Sequence, residues 1–133
     1  MINYLKPEMK LQPGEIPAQG LAYIGDAVFE LMVCTWLCIT GTSTAKNLHN
    51  KAVSFVCAKA QAEAAEKIKD TLTEEEESIF KRGRNAHQGV VPKNSTHKEY
   101  HSATGIETLF GYLYLTGETD RLNELFTIIT QEK

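Results

Sequence analysis

The sequence predicts an all-α domain, a helical bundle around one central, buried helix. Residues 21–39 are apolar apart from Asp26 and Glu30, and residues 103–116 are apolar apart from Glu107. A helix that is apolar on nearly every side belongs in a core. No alternating strand pattern or internal repeat runs through the sequence, so helices account for its apolar segments.

The N-terminal part should contain an arm followed by the central helix. Residues 1–12 mix apolar and charged side chains and end at Pro13 and Gly14, so they form a short helix or a packed arm. Pro17 suits the first turn of a helix, and Gly41 suits the position after its end. The helix between them would have about 24 residues and a length of about 36 Å.

The next segment, residues 45–70, has the apolar spacing of an amphipathic helix. Thr42, Ser43 or Thr44 can cap its start, because a side-chain oxygen there accepts a free backbone N–H. A break in this helix is expected near Asn50.

Three further elements follow. Thr73 and Glu76 are spaced as a capping box for a helix over residues 74–86, whose four leading glutamates are interpreted as a solvated helix start. Residues 88–96 have no helical period and predict a loop. Residues 119–130 place their apolar side chains on one face, which predicts a last packing helix.

Length and charge limit the classes of function. A chain of 133 residues suggests a single domain over residues 1–133, and a net charge of −3 argues against indiscriminate nucleic-acid binding. The charge is uneven, because residues 81–101 hold five of the 14 basic residues and only one of the 17 acidic residues. A basic surface, if present, is therefore local.

The cysteines and the N-terminus predict a cytoplasmic protein. Cys34, Cys38 and Cys57 are odd in number and lie in apolar helical patterns, so we expect reduced core side chains and no disulfide framework. Neither a signal nor a transit peptide fits residues 1–10. The longest uncharged run, residues 31–45, is shorter than the ~20 residues of a membrane span, so no membrane partner is expected.

Asp26 and Glu107 are the candidate site residues. Ionised carboxylates inside a core are costly unless a cation, a metal ion or hydrogen-bond donors compensate them. Two such acids on two core helices suggest one shared site, and carboxylates are the ligands that magnesium prefers. Two structural alternatives remain open: Glu107 closes a capping box with Thr104 at a helix start, or Asp26 is a paired core acid.

Several motifs resemble those of the ribonuclease III family. YIGDAVFE is similar to its signature segment, which supplies a metal-binding aspartate, and TGIETLFGYLYL is similar to its second acidic motif. RGRNA, VPKN and ATGIETLFGYLYLTG are closest to Mini-ribonuclease III, the short bacterial branch without a double-stranded-RNA-binding domain. The longer enzymes have four acids per site, whereas the corresponding positions here include Ala22 and Thr104, which leaves Asp26 and Glu107 and matches the short branch.

The resemblance implies a fold, a reaction and partners. It implies a ribonuclease III-type domain that uses Mg²⁺, held by Asp26 and Glu107, to cut both strands of duplex RNA and leave 5′-phosphate ends. It also implies a homodimer packed through the signature helix, and a substrate in the large-subunit (23S) ribosomal RNA precursor. Whether a ribosomal protein presents that RNA is left open. The apolar excess of residues 28–39, including Trp36, is compatible with such an interface.

The candidate RNA-binding residues lie in the basic segment and the loop after it. Guanidinium, ammonium and amide groups suit contacts with phosphates and 2′-hydroxyls, by which duplex RNA is recognised. The residues are Arg82, Arg84, Asn85, Lys93 and Asn94. The structural alternative is a solvated basic helix end.

Two other interpretations compete with a nuclease. One is a catalytically silent ribonuclease III-like module that binds RNA or the ribosome, suggested by Ala22 and Thr104. The other is a helical interaction protein whose acids are structural. His97 and His101 have a zinc-like spacing, but the further ligands of a zinc site do not accompany them.

Overall fold

A computed structural model describes residues 1–12, 14–41, 44–86, 93 and 95–131. These residues contain six α-helices, a short 3₁₀ turn at Lys69–Thr71, and no strand. The all-helical prediction is therefore confirmed. The helices are α1 Ala18–Ile39, α2 Ala45–Val56, α3 Ala58–Ile68, α4 Glu74–Asn85, α5 His97–Leu115 and α6 Thr119–Thr130.

Helices α1 and α5 form the centre of the domain, and they pack against each other along most of their lengths. Helices α3 and α4 flank α5, α2 covers part of α1, and α6 packs on α3 and α5. Phe29 of α1 lies at the core, where its ring meets Phe110 of α5 edge-on at 5.4 Å and Phe126 of α6 at 6.2 Å. Such edge-on aromatic pairs add stability beyond the burial of their area.

The crossing of α1 and α5 is a contact between backbones. A Cβ atom added at Gly25 would lie 1.6 Å from the carbonyl oxygen of Glu107, and one added at Gly111 would lie 2.0 Å from that of Leu21. Only glycine fits at either position, because no Cβ can approach a backbone atom so closely. This crossing brings Asp26, the neighbour of Gly25, to the level of Glu107.

Local signals set the helix starts. The Thr44 hydroxyl accepts the N–H of Asn47 at 3.1 Å, and Thr73 forms the predicted capping box with Glu76. A second capping box, between Thr96 and Glu99, starts α5. The capping alternative for Glu107 is therefore wrong, because Thr104 lies well inside α5 and its hydroxyl donates to the carbonyl of Tyr100 at 3.0 Å.

Glu76 corrects the interpretation of the α4 start as wholly solvated. Its carboxylate is buried and accepts two hydrogen bonds from Arg121 of α6, from Nη2 at 2.8 Å and from Nε at 2.9 Å. It also accepts the Thr73 N–H at 2.9 Å, as the capping box requires. Glu74, Glu75 and Glu77 are exposed, as expected.

Three other details differ from the sequence-based expectations. The break after α2 falls at Cys57 and not near Asn50. The N-terminal segment is an arm, held where the Met9 N–H donates to the carbonyl of Leu115 at 2.8 Å. The prediction that the cysteines are core residues is wrong, because all three are exposed.

Helix α1 has a buried face and an exposed face, and both are largely apolar. Trp36 is turned inward, where its ring meets Phe55 at 4.9 Å and Phe126 at 6.4 Å. The outward residues make up what we call the exposed α1 face: Tyr23, Asp26, Ala27, Glu30, Leu31, Cys34, Thr35, Cys38 and Ile39. By length and hydropathy α1 could also cross a membrane, but the central helix of a helical domain passes the same test.

Candidate active site

Asp26 and Glu107 meet where α1 crosses α5. Asp26 is on the exposed α1 face, and Glu107 is half-buried beside it. Their carboxyl groups are close enough for a hydrogen bond between them and for the negative charge of Asp26 to act on Glu107. Asp26 and Glu107 therefore form one group, which we call the acid pair.

Within the part of the chain that the structure describes, the acid pair has no positively charged partner in an ion pair. Burial raises the pKa of Glu107 to about 8, and the hydrogen bond and the negative charge of Asp26 contribute to this rise against the opposing effect of Gln61. Among the described residues, no lysine, arginine or histidine forms an ion pair with either acid. Near neutral pH, Glu107 therefore keeps a proton that a bound cation would displace.

Gln61 of α3 is the third polar residue of the site, and sequence reasoning missed it. Its Nε2 atom donates to Oε2 of Glu107 at 3.4 Å. The side chain is 2% exposed. Its surroundings in the sequence, AKAQAEAAEK, indicate only an alanine-rich amphipathic helix, so no local signal distinguished Gln61 from the other polar residues of this helix.

The positions that carry extra acids in the longer enzymes are neutral and buried here. Ala22 packs within the core, and Thr104 is held against its own helix. Within the described ranges, no group of three or more His, Cys, Asp or Glu side chains could hold a metal ion. Two carboxylates remain, and this number fits Mg²⁺, which often takes one or two protein carboxylates and completes its shell with water and phosphate oxygens.

Glu30 lies one turn after Asp26 on the exposed α1 face. The salt bridges among the described residues do not include it. Its position allows at most a contribution to the negative potential near the acid pair.

Arg82 and Arg84 point in different directions from α4. Because they are two residues apart on a helix, their side chains lie about 160° apart around the helix axis. The Arg82 Nη2 atom donates to the carbonyl of Ile16, before α1, at 3.5 Å. The Arg84 Nε atom donates to the side chain of Asn85 at 3.2 Å. Lys93 is exposed, and Asn94 lies outside the described residues.

Arg84 belongs to a cluster of cations, to which the basic segment of residues 81–101 contributes three and Lys69, which the sequence did not indicate, contributes the fourth. It lines a cavity of about 360 Å³ together with basic residues from neighbouring elements, and we call this cavity the basic pocket. Its cations are Lys69, Lys81, Arg84 and Lys98, and Glu66 and Glu77 partly offset them. On α5, Lys98 is about two and a half turns before Glu107, so the basic pocket and the acid pair lie at different levels of α5.

The two histidines of the predicted zinc-like spacing lie together on α5. Their rings stack with centroids 6.3 Å apart. Among the residues that the structure describes, they are not part of a larger group of possible metal ligands.

Comparison with known proteins identifies the family. The model of the ribonuclease III domain matches residues 19–118. Mini-ribonuclease 3 of Clostridium tetani is 44% identical over 110 residues, which cover 82% of this chain and 73% of that protein. Mini-ribonuclease 3 of Symbiobacterium thermophilum is 41% identical, over 85% of this chain and 87% of that protein.

A solved structure agrees with these sequence matches. A crystal structure of a Fusobacterium nucleatum protein superimposes with a TM-score of 0.80 and 28% identity, over 87% of this chain and 94% of that chain. The two proteins therefore share the arrangement of their helices as well as part of their sequence. The chain belongs to the ribonuclease III family, and within it to the Mini-ribonuclease III branch.

Proposed function

We propose that this protein is an endoribonuclease that cuts duplex RNA with the help of Mg²⁺ bound at Asp26 and Glu107, leaving 5′-phosphate and 3′-hydroxyl ends. The observation that carries the proposal is the acid pair, in which two carboxylates touch without a cation among the described residues to compensate them. The names of the relatives support the reaction class.

The chain's own residues would perform two tasks in this reaction. Asp26 and Glu107 would hold the cation, with Glu107 releasing its proton as the cation binds. When bound, Mg²⁺ supplies an activated water and balances charge on the phosphate. The backbone contact at Gly25 and Gly111 fixes the two acids relative to each other, so the site needs no large rearrangement to form.

The exposed α1 face supports a homodimer. Leu31 is 58% exposed and Ile39 is 78% exposed, and between them Cys34 and Cys38 continue the apolar surface. A contiguous apolar face of this kind marks an association site. A two-fold pairing of α1 with its copy through the part of this face from Leu31 to Ile39 would bury those apolar side chains, leave Asp26 outside the contact, and place two acid pairs along one RNA duplex.

The basic pocket supports contacts with RNA phosphates away from the cut. Arg84, Lys69 and Lys98 lie at a different level of the domain from the acid pair, so they would bind backbone that extends beyond the cleaved bond. Contacts of this kind hold the duplex without reading its sequence. We expect Arg84→Ala to weaken binding to all duplexes alike. It should also reduce the slope of log affinity against log salt concentration by about one unit, the change expected for the loss of one phosphate contact.

For the natural substrate, we propose the paired ends of the large-subunit ribosomal RNA precursor, in the cytoplasm. The support is the resemblance to Mini-ribonuclease III. Whether a ribosomal protein must present this RNA can be tested by comparing cleavage of the naked precursor with that of the ribosomal particle.

Charge-removing variants of the acid pair test the reaction. Asp26→Asn and Glu107→Gln keep the side-chain size, and we expect each to lower duplex cleavage in Mg²⁺ by several orders of magnitude while duplex binding persists. Glu30→Gln is the matched control, because it removes the same charge one turn further along α1. Near-normal cleavage by either acid-pair variant would contradict the metal assignment. Duplex binding by a wild type that does not cut would favour the silent RNA-binding module.

A second pair of variants tests the dimer. Leu31→Glu introduces a charge in the exposed α1 face, and we expect it to convert a dimer into a monomer in light-scattering measurements. Val53→Glu is the control, since Val53 of α2 is 49% exposed but lies outside that face. A wild-type monomer at micromolar concentration would contradict the proposed dimer.

A further inference from the structure

We propose that Gln61 is a positioning residue that holds the Glu107 carboxylate in the orientation that binds the divalent cation. This inference rests on the proposed function. It adds a third helix, α3, to a site that the two acidic motifs place only on α1 and α5.

The burial of Gln61 is the first argument. Four polar or charged residues are buried among the described ones: Gln61, Glu76, Thr104 and Thr108. Glu76 is compensated by Arg121, and the two threonine hydroxyls donate to carbonyls of their own helix. Burying an amide is costly without hydrogen bonds, and the hydrogen bond of Gln61 goes to Glu107.

The chemistry of the amide is the second argument. A lysine or arginine at this position would neutralise Glu107 and compete with the cation for the site. The Gln61 Nε2 group instead donates to Oε2 of Glu107 without adding charge. The carboxyl group is thereby oriented, and the negative charge that it gains when a cation displaces its proton is not neutralised by Gln61. Groups that orient metal ligands in this way affect metal affinity or activity by about 10- to 100-fold.

The third argument is the place of Gln61 on α3. Helix α3 packs against α5, so the Gln61 side chain approaches Glu107 from a side that α1 does not cover. The residues of α3 one turn away on the same face, Ala58, Ala64 and Ala65, carry no hydrogen-bond donor on their side chains. Gln61 is therefore the residue through which this part of α3 can orient Glu107.

The test compares Gln61→Met with Gln131→Met, since methionine has nearly the length and shape of glutamine but cannot donate to a carboxylate. Gln131 follows the end of α6 and is exposed, so it receives the same chemical change outside the site. Mg²⁺ binding to each folded protein is measured by calorimetry, and the Mg²⁺ dependence of duplex cleavage is measured beside it.

We expect Gln61→Met to need at least tenfold more Mg²⁺ than the wild type for half-saturation in both measurements. Gln131→Met should match the wild type within about twofold, because it leaves the contact with Glu107 in place. High Mg²⁺ should restore much of the cleavage rate of Gln61→Met, since both acids remain to hold the cation.

The outcomes separate this inference from the proposed function. Equal Mg²⁺ binding by the wild type and Gln61→Met would overturn the role of Gln61 alone. A wild type that binds no Mg²⁺ and cuts no duplex would overturn the proposed function and the inference with it. If Gln61→Met fails to fold, Gln61→Asn serves instead. Its side chain is one methylene shorter and cannot reach Glu107 across the 3.4 Å contact, so this variant should show the same increase in the Mg²⁺ requirement.

Discussion

Glu76 and Glu107 both lose contact with water where helices pack, yet their pKa values move in opposite directions. Burial acts on both by raising the pKa. At Glu76 the hydrogen bonds and charge of Arg121, together with the Thr73 capping contacts, outweigh burial, and the pKa is lowered. At Glu107 the neighbour is the acid Asp26, and the pKa is raised to about 8.

The difference shows how a structural acid can be told from a functional one. The charge of Glu76 is compensated inside the protein by a two-pronged contact with Arg121, so nothing further is needed there. The acid pair has no such partner among the described residues, and we propose that a bound cation compensates it. The burial of an acid therefore does not by itself indicate a function. The charge of the neighbouring side chain is what distinguishes these two sites.

The largest effect that tests this comparison is expected at Glu76. Glu76→Gln leaves the largely buried Arg121 guanidinium with only the longer contact to the exposed Glu124, at 3.5 Å, as a counter-charge. We expect it to lower the free energy of unfolding by about 2–3 kcal/mol in urea denaturation. Glu74→Gln is the control: it makes the same change in the same helix turn, at an exposed site. Equal stability of the two variants would mean that the ion pair between Glu76 and Arg121 does not stabilise the fold.

The lowered pKa of Glu76 also predicts how the effect of Glu76→Gln depends on pH. Because the folded pKa of Glu76 lies below its ordinary value of 4.5, its contribution is present above pH 4.5 and is lost as the pH falls through the folded pKa. The stability advantage of the wild type over Glu76→Gln should therefore shrink in acid.

A smaller effect of opposite sign is expected at Glu107. Glu107→Gln removes a carboxyl group that must take up a proton when the protein folds near neutral pH, because its folded pKa is raised to about 8. In a metal chelator the variant should therefore raise the free energy of unfolding by about 1 kcal/mol, as often happens when a functional group is removed. The folded pKa of about 8 lies above the ordinary 4.5, so wild-type stability without metal falls as the pH rises through this window. Thermal melting of both proteins across the window measures this slope, which Glu107→Gln should lack.

Added Mg²⁺ should make the wild type more stable than Glu107→Gln, the reverse of their order in the chelator. At about ten times its dissociation constant, a ligand that binds only the native state adds about 1.4 kcal/mol. The wild type should gain this stability, and Glu107→Gln should gain much less. A variant that is destabilised in the chelator would show instead that Glu107 is a structural acid like Glu76.

The smallest effect is expected at an exposed ion pair. Lys81 and Glu77 lie 2.8 Å apart, the same distance as Arg121 and Glu76, but their side chains are 50% and 51% exposed, against 19% and 9%. Exposed pairs contribute little, so Lys81→Met should change the free energy of unfolding only slightly, close to the scatter of the urea measurement. A loss as large as that of Glu76→Gln would show that burial does not distinguish these pairs.

Signals that act within a few residues predicted much of the fold. The capping box of Thr73 and Glu76 and the last helix at residues 119–130 were predicted as the structure has them. The pairing of Asp26 with Glu107 followed from two lone charges in apolar runs and from the family resemblance. Their metal-binding role stays a prediction.

Contacts between distant segments could not be predicted from the sequence. Nothing near Glu76 indicates that Arg121 will reach it, and nothing near Gln61 indicates Glu107. An apolar run also does not show which of its faces will be covered, and for this reason Cys34 and Cys38 were wrongly assigned to the core. These features depend on how helices pack, which periodicity within one helix does not determine.

The crossing at Gly25 and Gly111 limits how this chain can change during evolution. Elsewhere in the core, a smaller side chain on one helix can be balanced by a larger one on its neighbour. At the crossing there is no side chain to exchange, because each glycine faces a backbone carbonyl. Any replacement would push α1 and α5 apart and separate Asp26 from Glu107. The distance between the two acids is thus set by the backbone contact. We expect this distance to be kept even where the surrounding core residues change.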